Sequence, residues 1–174
     1  LGSLIYGPNP EDLFYKRRFN SKIQATLEPG DGETNFVNTT GISGGAQNTP
    51  LNSLNLSKIY VRATRSSASA SELHMNGLEP YLEVVHIGTT TTGKNQGSIT
   101  FVDDPENGNF YDEDRVDQIN PNNQWGIQPI VSQVENSEGF GDYSDGLVPD
   151  IELAEDIADL GTLGDPAERL LARA

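Results

Sequence analysis

The 174-residue chain contains no cysteine. That absence removes disulfides, thiolate metal sites and cysteine nucleophiles together. Basic residues are scarce: 11 Lys and Arg stand against 26 Asp and Glu, a formal charge of −15. Such a surface repels phosphate backbones, so nucleic acid is not expected as a partner. Apolar residues are few, at 34%, with one Trp and one Met. No apolar run approaches the roughly 18 residues that a membrane-spanning helix requires.

Turn formers are abundant instead, with 18 Gly and 10 Pro. They predict many turns and long loops around one domain's worth of core. No internal repeat is present. Leu1 to Gly7 reads as the last turns of a helix ending at glycine. The chain is therefore expected to be the later part of a single domain, residues 1–174, whose earlier part and any targeting signal lie outside it.

Phe14 to Phe19 predicts a strand, with Lys22 to Thr26 continuing it. Residues 28–55, with Gly30, Gly32, Gly41, Gly44 and Gly45, read as a long loop with few packing residues, a lid or an insertion. Leu56 to Thr64 is rich in β-formers and predicts a strand. A small-residue turn, Arg65 to Ser69, leads into a predicted helix over 70–82. Ala70, Leu73, Gly77 and Leu78 share roughly one face of it. Glu83 to Gly88 predicts the next strand, so residues 56–88 form a βαβ unit with parallel strands, and the fold class is α/β. A loop follows to Gly97, then a third strand, Ser98 to Val102, and an acidic, Asn-rich loop over 103–124. Trp125 to Val134 alternates apolar and polar residues with Pro129 inside, which predicts an edge strand. After a loop from Gly139 to Asp150, Asp165 and Pro166 read as N-cap and first residue of a final helix.

The densest chemical feature is Arg65-Ser-Ser-Ala-Ser-Ala-Ser-Glu72, between a strand and a helix. A serine there stands at the C-terminal edge of a parallel sheet, where open α/β folds place their ligands. Small neighbours admit a substrate backbone, and the Ala70 amide, at the helix start, is aimed to stabilise an oxyanion. A serine nucleophile also needs a base. His74 lies more than a helical turn from Ser69 and His86 sits in a predicted strand, so both read as structural or surface histidines. Lys94 is better placed, because the loops after two parallel strands face each other on one edge. A lysine base must be neutral, which requires enclosure against its ordinary pKa of about 10.4. Taken alone, the serine run also fits a capped turn, and Lys94 a solvated loop lysine. Asp103 to Gly108 with Asp112 to Asp114 fails the EF-hand spacing and reads as a solvated loop, so no metal is expected.

Ser67-Ala-Ser-Ala-Ser-Glu72, a helix, a strand ending at Gly88 and then Thr92-Gly-Lys94 together resemble the signature of the tail-specific, or C-terminal-processing, serine proteases. In that family the middle serine is the nucleophile and the lysine follows 25 positions later, which selects Ser69 over Ser67 and Ser71. Gly146-Leu-Val-Pro-Asp-Ile-Glu152 is similar to a further family segment. Trp125-Gly-Ile-Gln-Pro-Ile and Leu163-Gly-Asp-Pro look most like versions from Bacteroidetes-type bacteria. The resemblance implies a crotonase/Clp-protease-like layered core and an incomplete catalytic domain without a PDZ domain. It further implies cofactor-free hydrolysis of protein or peptide substrates near their C-termini, through a Ser69–Lys94 dyad in a periplasmic or cell-envelope setting. Many members carry a glutamine four residues after the lysine. Here Ser98 stands there, with Gln96 nearby, and either is a candidate to orient Lys94. The family's upstream glycine turn, which completes the oxyanion hole, lies before residue 1. The alternative implied by these departures is a degenerate homologue that binds peptides or serves assembly without cutting.

Overall fold

The computed structural model describes residues 1–7, 9–40 and 49–174. Helix α1 (Gly2–Tyr6) is ended by Gly7 in the left-handed conformation, φ 66°, as the opening residues predict. Strand β1 (Leu13–Phe19) follows. It does not continue through Lys22. The Asn20 side chain accepts hydrogen bonds from the amides of Lys22 and Ile23 and starts a one-turn helix, α2 (Ser21–Gln24). A cap that satisfies two orphan amides outweighs a weak strand pattern. Residues 28–55 are less bare than their composition predicts. Strand β2 (Glu33–Asn35) pairs antiparallel with β1, and β3 (Thr39–Thr40) pairs with β4 (Thr49–Pro50). Phe36, within that stretch, is a core residue. Gly41, Gly44 and Gly45 lie outside the described residues.

The βαβ unit forms as expected. Strand β5 (Lys58–Ala63), helix α3 (Ala70–Leu78) and strand β6 (Glu83–Gly88) follow in order, and the strands pair in parallel from Lys58–Glu83 to Ala63–Gly88. Helix α3 stops at Leu78 rather than 82, because Pro80 cannot continue the hydrogen-bond ladder.

The third strand differs. Strand β7 (Gln96–Ser98) starts two residues earlier than predicted and ends where that strand was to begin. It joins an antiparallel sheet ordered β2-β1-β8-β7, with β8 at Ile130–Glu135. Strand β8 is internal to this sheet, between β1 and β7, and not an edge. Pro129 stands just before it, where a missing N–H removes no ladder bond. Strand β9 (Ile151–Glu152) extends the parallel sheet to β5-β6-β9.

The predicted final helix is absent. Asp165 does cap, accepting from the Ala167 amide, but only a short 3-10 turn, Leu171–Arg173, follows. Glu168 holds the amides of Leu170 and Leu171 with its carboxylate and pairs with Arg62, which competes with helix propagation.

The core lies between α3, β1 and the segments around them. Phe36, Leu78 and Leu82 are buried, with Phe14, Tyr81 and Val84 packed against them. The Phe14 and Phe36 rings stand 4.9 Å apart and tilted. Each such side chain contributes about 1.5–3 kcal/mol by burial. This packing clamps the C-terminal half of α3 and so fixes where its N-terminus, and Ser69, can stand. Among the described residues no helix is long and apolar enough to cross a membrane.

Candidate active site

Ser69 occupies the turn between β5 and α3 with φ 55° and ψ −106°. A non-glycine residue at positive φ is strained, and such strain persists only where neighbours enforce it. Its exposed side chain stands at the C-terminal edge of the parallel sheet. The flanking serines have other tasks. Ser67 closes the turn, its Oγ accepting from the Thr64 amide and its carbonyl from the Thr92 amide. The Ser71 amide donates to the Ala68 carbonyl. Ala70 is the first residue of α3, so its amide has no intrahelical acceptor.

The enforcing neighbour is Glu72, the last residue of the serine run, which is fully buried. Its Oε2 accepts from the Ser69 amide at 2.9 Å and from the Lys94 amide at 2.8 Å. Its Oε1 accepts from the Thr91 hydroxyl at 2.5 Å and from the Gly93 amide at 2.6 Å. Burial by itself would raise this carboxyl. The Thr91, Gly93, Lys94 and Ser69 donors outweigh burial and hold it below the ordinary glutamate range. One anion thus ties the serine turn to the lysine loop.

The loop around Lys94 is pinned from its other side. Gly93, at φ 90°, lies so near Ser144 that a Cβ would stand 2.1 Å from the Ser144 carbonyl oxygen. The Leu147 amide donates to the Thr91 hydroxyl, and the Thr91 amide to the Leu147 carbonyl. Asp150 accepts from the His86 amide with its carboxylate and donates its own amide to the His86 carbonyl. The Gly146 to Glu152 segment is therefore a brace for the lysine loop. Burial pushes the Tyr143 hydroxyl up to about 12, with the charge of Glu72 adding to the shift.

The two loops predicted to face each other do so, through backbone. The Lys94 side chain is exposed, and no hydrogen bond or ion pair reaches its Nζ among the described residues. The enclosure that a neutral lysine requires is not built by these residues. Gln96 and Ser98 both lie on β7, with a register irregularity between Gly97 and Ser98, and neither is hydrogen-bonded to Lys94. His74 Nδ1 is 2.9 Å from the Ala70 carbonyl, and His86 Nε2 is 3.3 Å from the Ala63 carbonyl. No hydrogen bond joins either histidine to Ser69. Glu72, which joins the serine turn to the lysine loop, is the residue that spacing arguments missed. Its signal was present as the glutamate closing the serine run, three residues after the helix cap.

Beside Ser69 an apolar hollow of about 410 Å³ runs between α1, β5 and α3, lined by Ile5, Val61, Ala63, Ala70, His74 and Met75 among others. Ser67, Ala70 and Ser71 of the serine run are among its lining residues.

Among solved structures the chain is similar to a Bacteroides fragilis protein assigned as an S41 protease. That likeness has a TM-score of 0.65 and 24% identity, over 99% of this chain and 38% of that one. The whole chain shares its fold with part of that protein. The photosystem II D1 C-terminal processing protease is also similar, with a TM-score of 0.52 and 15% identity, over 88% of this chain and 29% of that one. No family model and no curated protein matches. At these identities the likeness is one of fold, and the chain spans well under half the length of either structure. The α/β expectation and the likeness to C-terminal-processing proteases are borne out at that level.

Proposed function

We propose that the chain carries the catalytic serine and lysine of a serine endopeptidase acting on protein or peptide substrates. The observation that supports this most is the shared carboxylate. Glu72 holds the strained Ser69 turn and the Lys94 loop on one oxygen, in a fold shared with proteases.

In this reading neutral Lys94 takes the proton of Ser69, whose Oγ attacks the substrate carbonyl. The Ala70 amide donates to the oxyanion. The tetrahedral intermediate collapses, the C–N bond breaks, and Lys94 returns the proton to the leaving amine. Water, deprotonated by Lys94, then hydrolyses the acyl-serine and regenerates Ser69. The hollow beside Ser69 suits an apolar substrate side chain. Cleavage near substrate C-termini and a periplasmic or envelope location belong to the same proposal. Closure over Lys94 would come from substrate or from protein outside these residues.

The exposure of Lys94 favours a second reading, a homologue that binds peptides without cutting. Casein cleavage by the full-length protein, beside its Ser69→Ala and Lys94→Ala variants, separates the two. Loss of cleavage in both variants supports the dyad. A folded parent that cuts nothing moves the assignment to peptide binding, and cleavage surviving Ser69→Ala removes Ser69 as nucleophile.

A further inference from the structure

Beyond β7 the chain continues as an arm. Phe101 forms antiparallel bridges to Phe110 on one side and Ile127 on the other. Its ring lies 5.2 Å from that of Phe110. Residues opposed across such bridges share a face. Phe101, Phe110 and Ile127 therefore form one apolar face, with Trp125 two residues before Ile127. Phe110 is 48% exposed, Ile127 67% and Trp125 85%. Contiguous exposed apolar side chains of this kind mark interaction sites.

The charge beside this face is of one sign. Asp112, Glu113, Asp114 and Asp117 follow Phe110 and are exposed. Between Lys94 and Arg169 the only base is Arg115. Its guanidinium is already engaged by Asp104, at 2.9 and 3.0 Å. The rim is therefore anionic, which disfavours acidic peptides and anionic lipid surfaces and favours a segment carrying Lys or Arg with apolar side chains. The arm also continues the strand that leaves Lys94. Phe101 stands seven positions beyond Lys94, and β7 (Gln96–Ser98) lies between them.

We propose that this face docks the substrate polypeptide through a basic, apolar segment away from the bond presented to Ser69. The substrate as occupant rests on the peptidase reading, so the test reads binding and not cleavage. Trp125 is the only tryptophan of the chain and reports directly. The chain carrying Ser69→Ala is titrated with a synthetic Leu/Lys peptide and with its Leu/Glu counterpart. The Leu/Lys peptide should shift Trp125 emission to the blue in a saturable, salt-sensitive way, and the Leu/Glu peptide should not. Ile127→Ser should weaken binding about tenfold with no change in charge. The paired Asp112→Asn and Asp114→Asn substitutions should weaken it with no change in the apolar face. Equal response to the acidic peptide, or unchanged affinity in Ile127→Ser, overturns the proposal. A blue shift that grows with protein concentration alone assigns the face to a second copy and also overturns it. Binding without any casein cleavage by the full-length protein would leave this face standing and sink the peptidase reading.

Discussion

Ser69 and Lys94 donate their amides to a single atom, Glu72 Oε2, at 2.9 and 2.8 Å. The two residues are 25 positions apart, yet one hydrogen-bond shell holds both. Glu72→Gln keeps the size of the side chain but must turn an NH₂ toward two of the four donors. A donor facing a donor leaves buried groups unpaired, at about 1–3 kcal/mol each. Glu72→Gln should therefore lower the urea unfolding free energy by about 2–3 kcal/mol, and any peptidase activity should fall with it. Equal urea midpoints for Glu72→Gln and the parent would refute the tie.

The same carboxylate sets a pH dependence. Its folded pKa lies below the ordinary glutamate value, because four donors outweigh the cost of burial. The folded state then binds the proton less tightly than the unfolded state, so the stabilisation is complete above the unfolded value. It is lost as pH falls through the lower folded value. The urea midpoint should begin to fall below about pH 4.5, and less steeply in Glu72→Gln. Glu79 runs the other way. Desolvation by the surrounding chain, with repulsion from Asp150 and Glu138, raises it although the side chain reaches the surface. Glu79→Gln should raise the melting temperature at neutral pH, and the gain should fade as pH falls through the raised value of Glu79.

Strain at Ser69 separates stability from chemistry. Glycine accepts positive φ without the Cβ clash, whereas alanine keeps it. Ser69→Gly should be about 1 kcal/mol more stable than Ser69→Ala, while both abolish any activity that depends on the hydroxyl. Chemical denaturation of the two variants checks this. A less stable glycine variant would mean that the turn is not strained.

The arm has its own anchor. Asp104 is 2% exposed and takes both hydrogen bonds from Arg115. The Arg115 hydrogen bonds hold the Asp104 carboxyl below the usual aspartate range, against the opposing effect of burial. Arg115→Met should strip that buried carboxylate of its ion-pair partner and speed amide hydrogen exchange across 101–120, with β5 and β6 unaffected. Uniformly faster exchange over the whole chain would show that the arm and the parallel sheet open as one unit.

Elements whose signals are local were legible in the sequence. The βαβ unit could be read because Leu56 to Thr64 and Glu83 to Gly88 are dense in β-formers on either side of a helical stretch. The strand continuing at Lys22 could not, because one Asn20 side chain reversed it. The edge placement of β8 failed for a different reason. Pro129 was read as part of the strand, but the strand begins after it, and both neighbours of β8 come from distant sequence. The final helix failed because Glu168 is committed to Arg62, 106 residues away.

What the sequence determined by itself was the order of a serine turn, a helix, a strand and a lysine loop, since spacing and turn chemistry are written in consecutive residues. It also determined the acidic charge, which no fold can alter. The tertiary structure alone decided that Glu72 is buried between the two loops with four donors. A carboxylate is a surface residue until distant amides converge on it, and that convergence depends on how the parallel sheet and the Gly146 to Glu152 brace pack together.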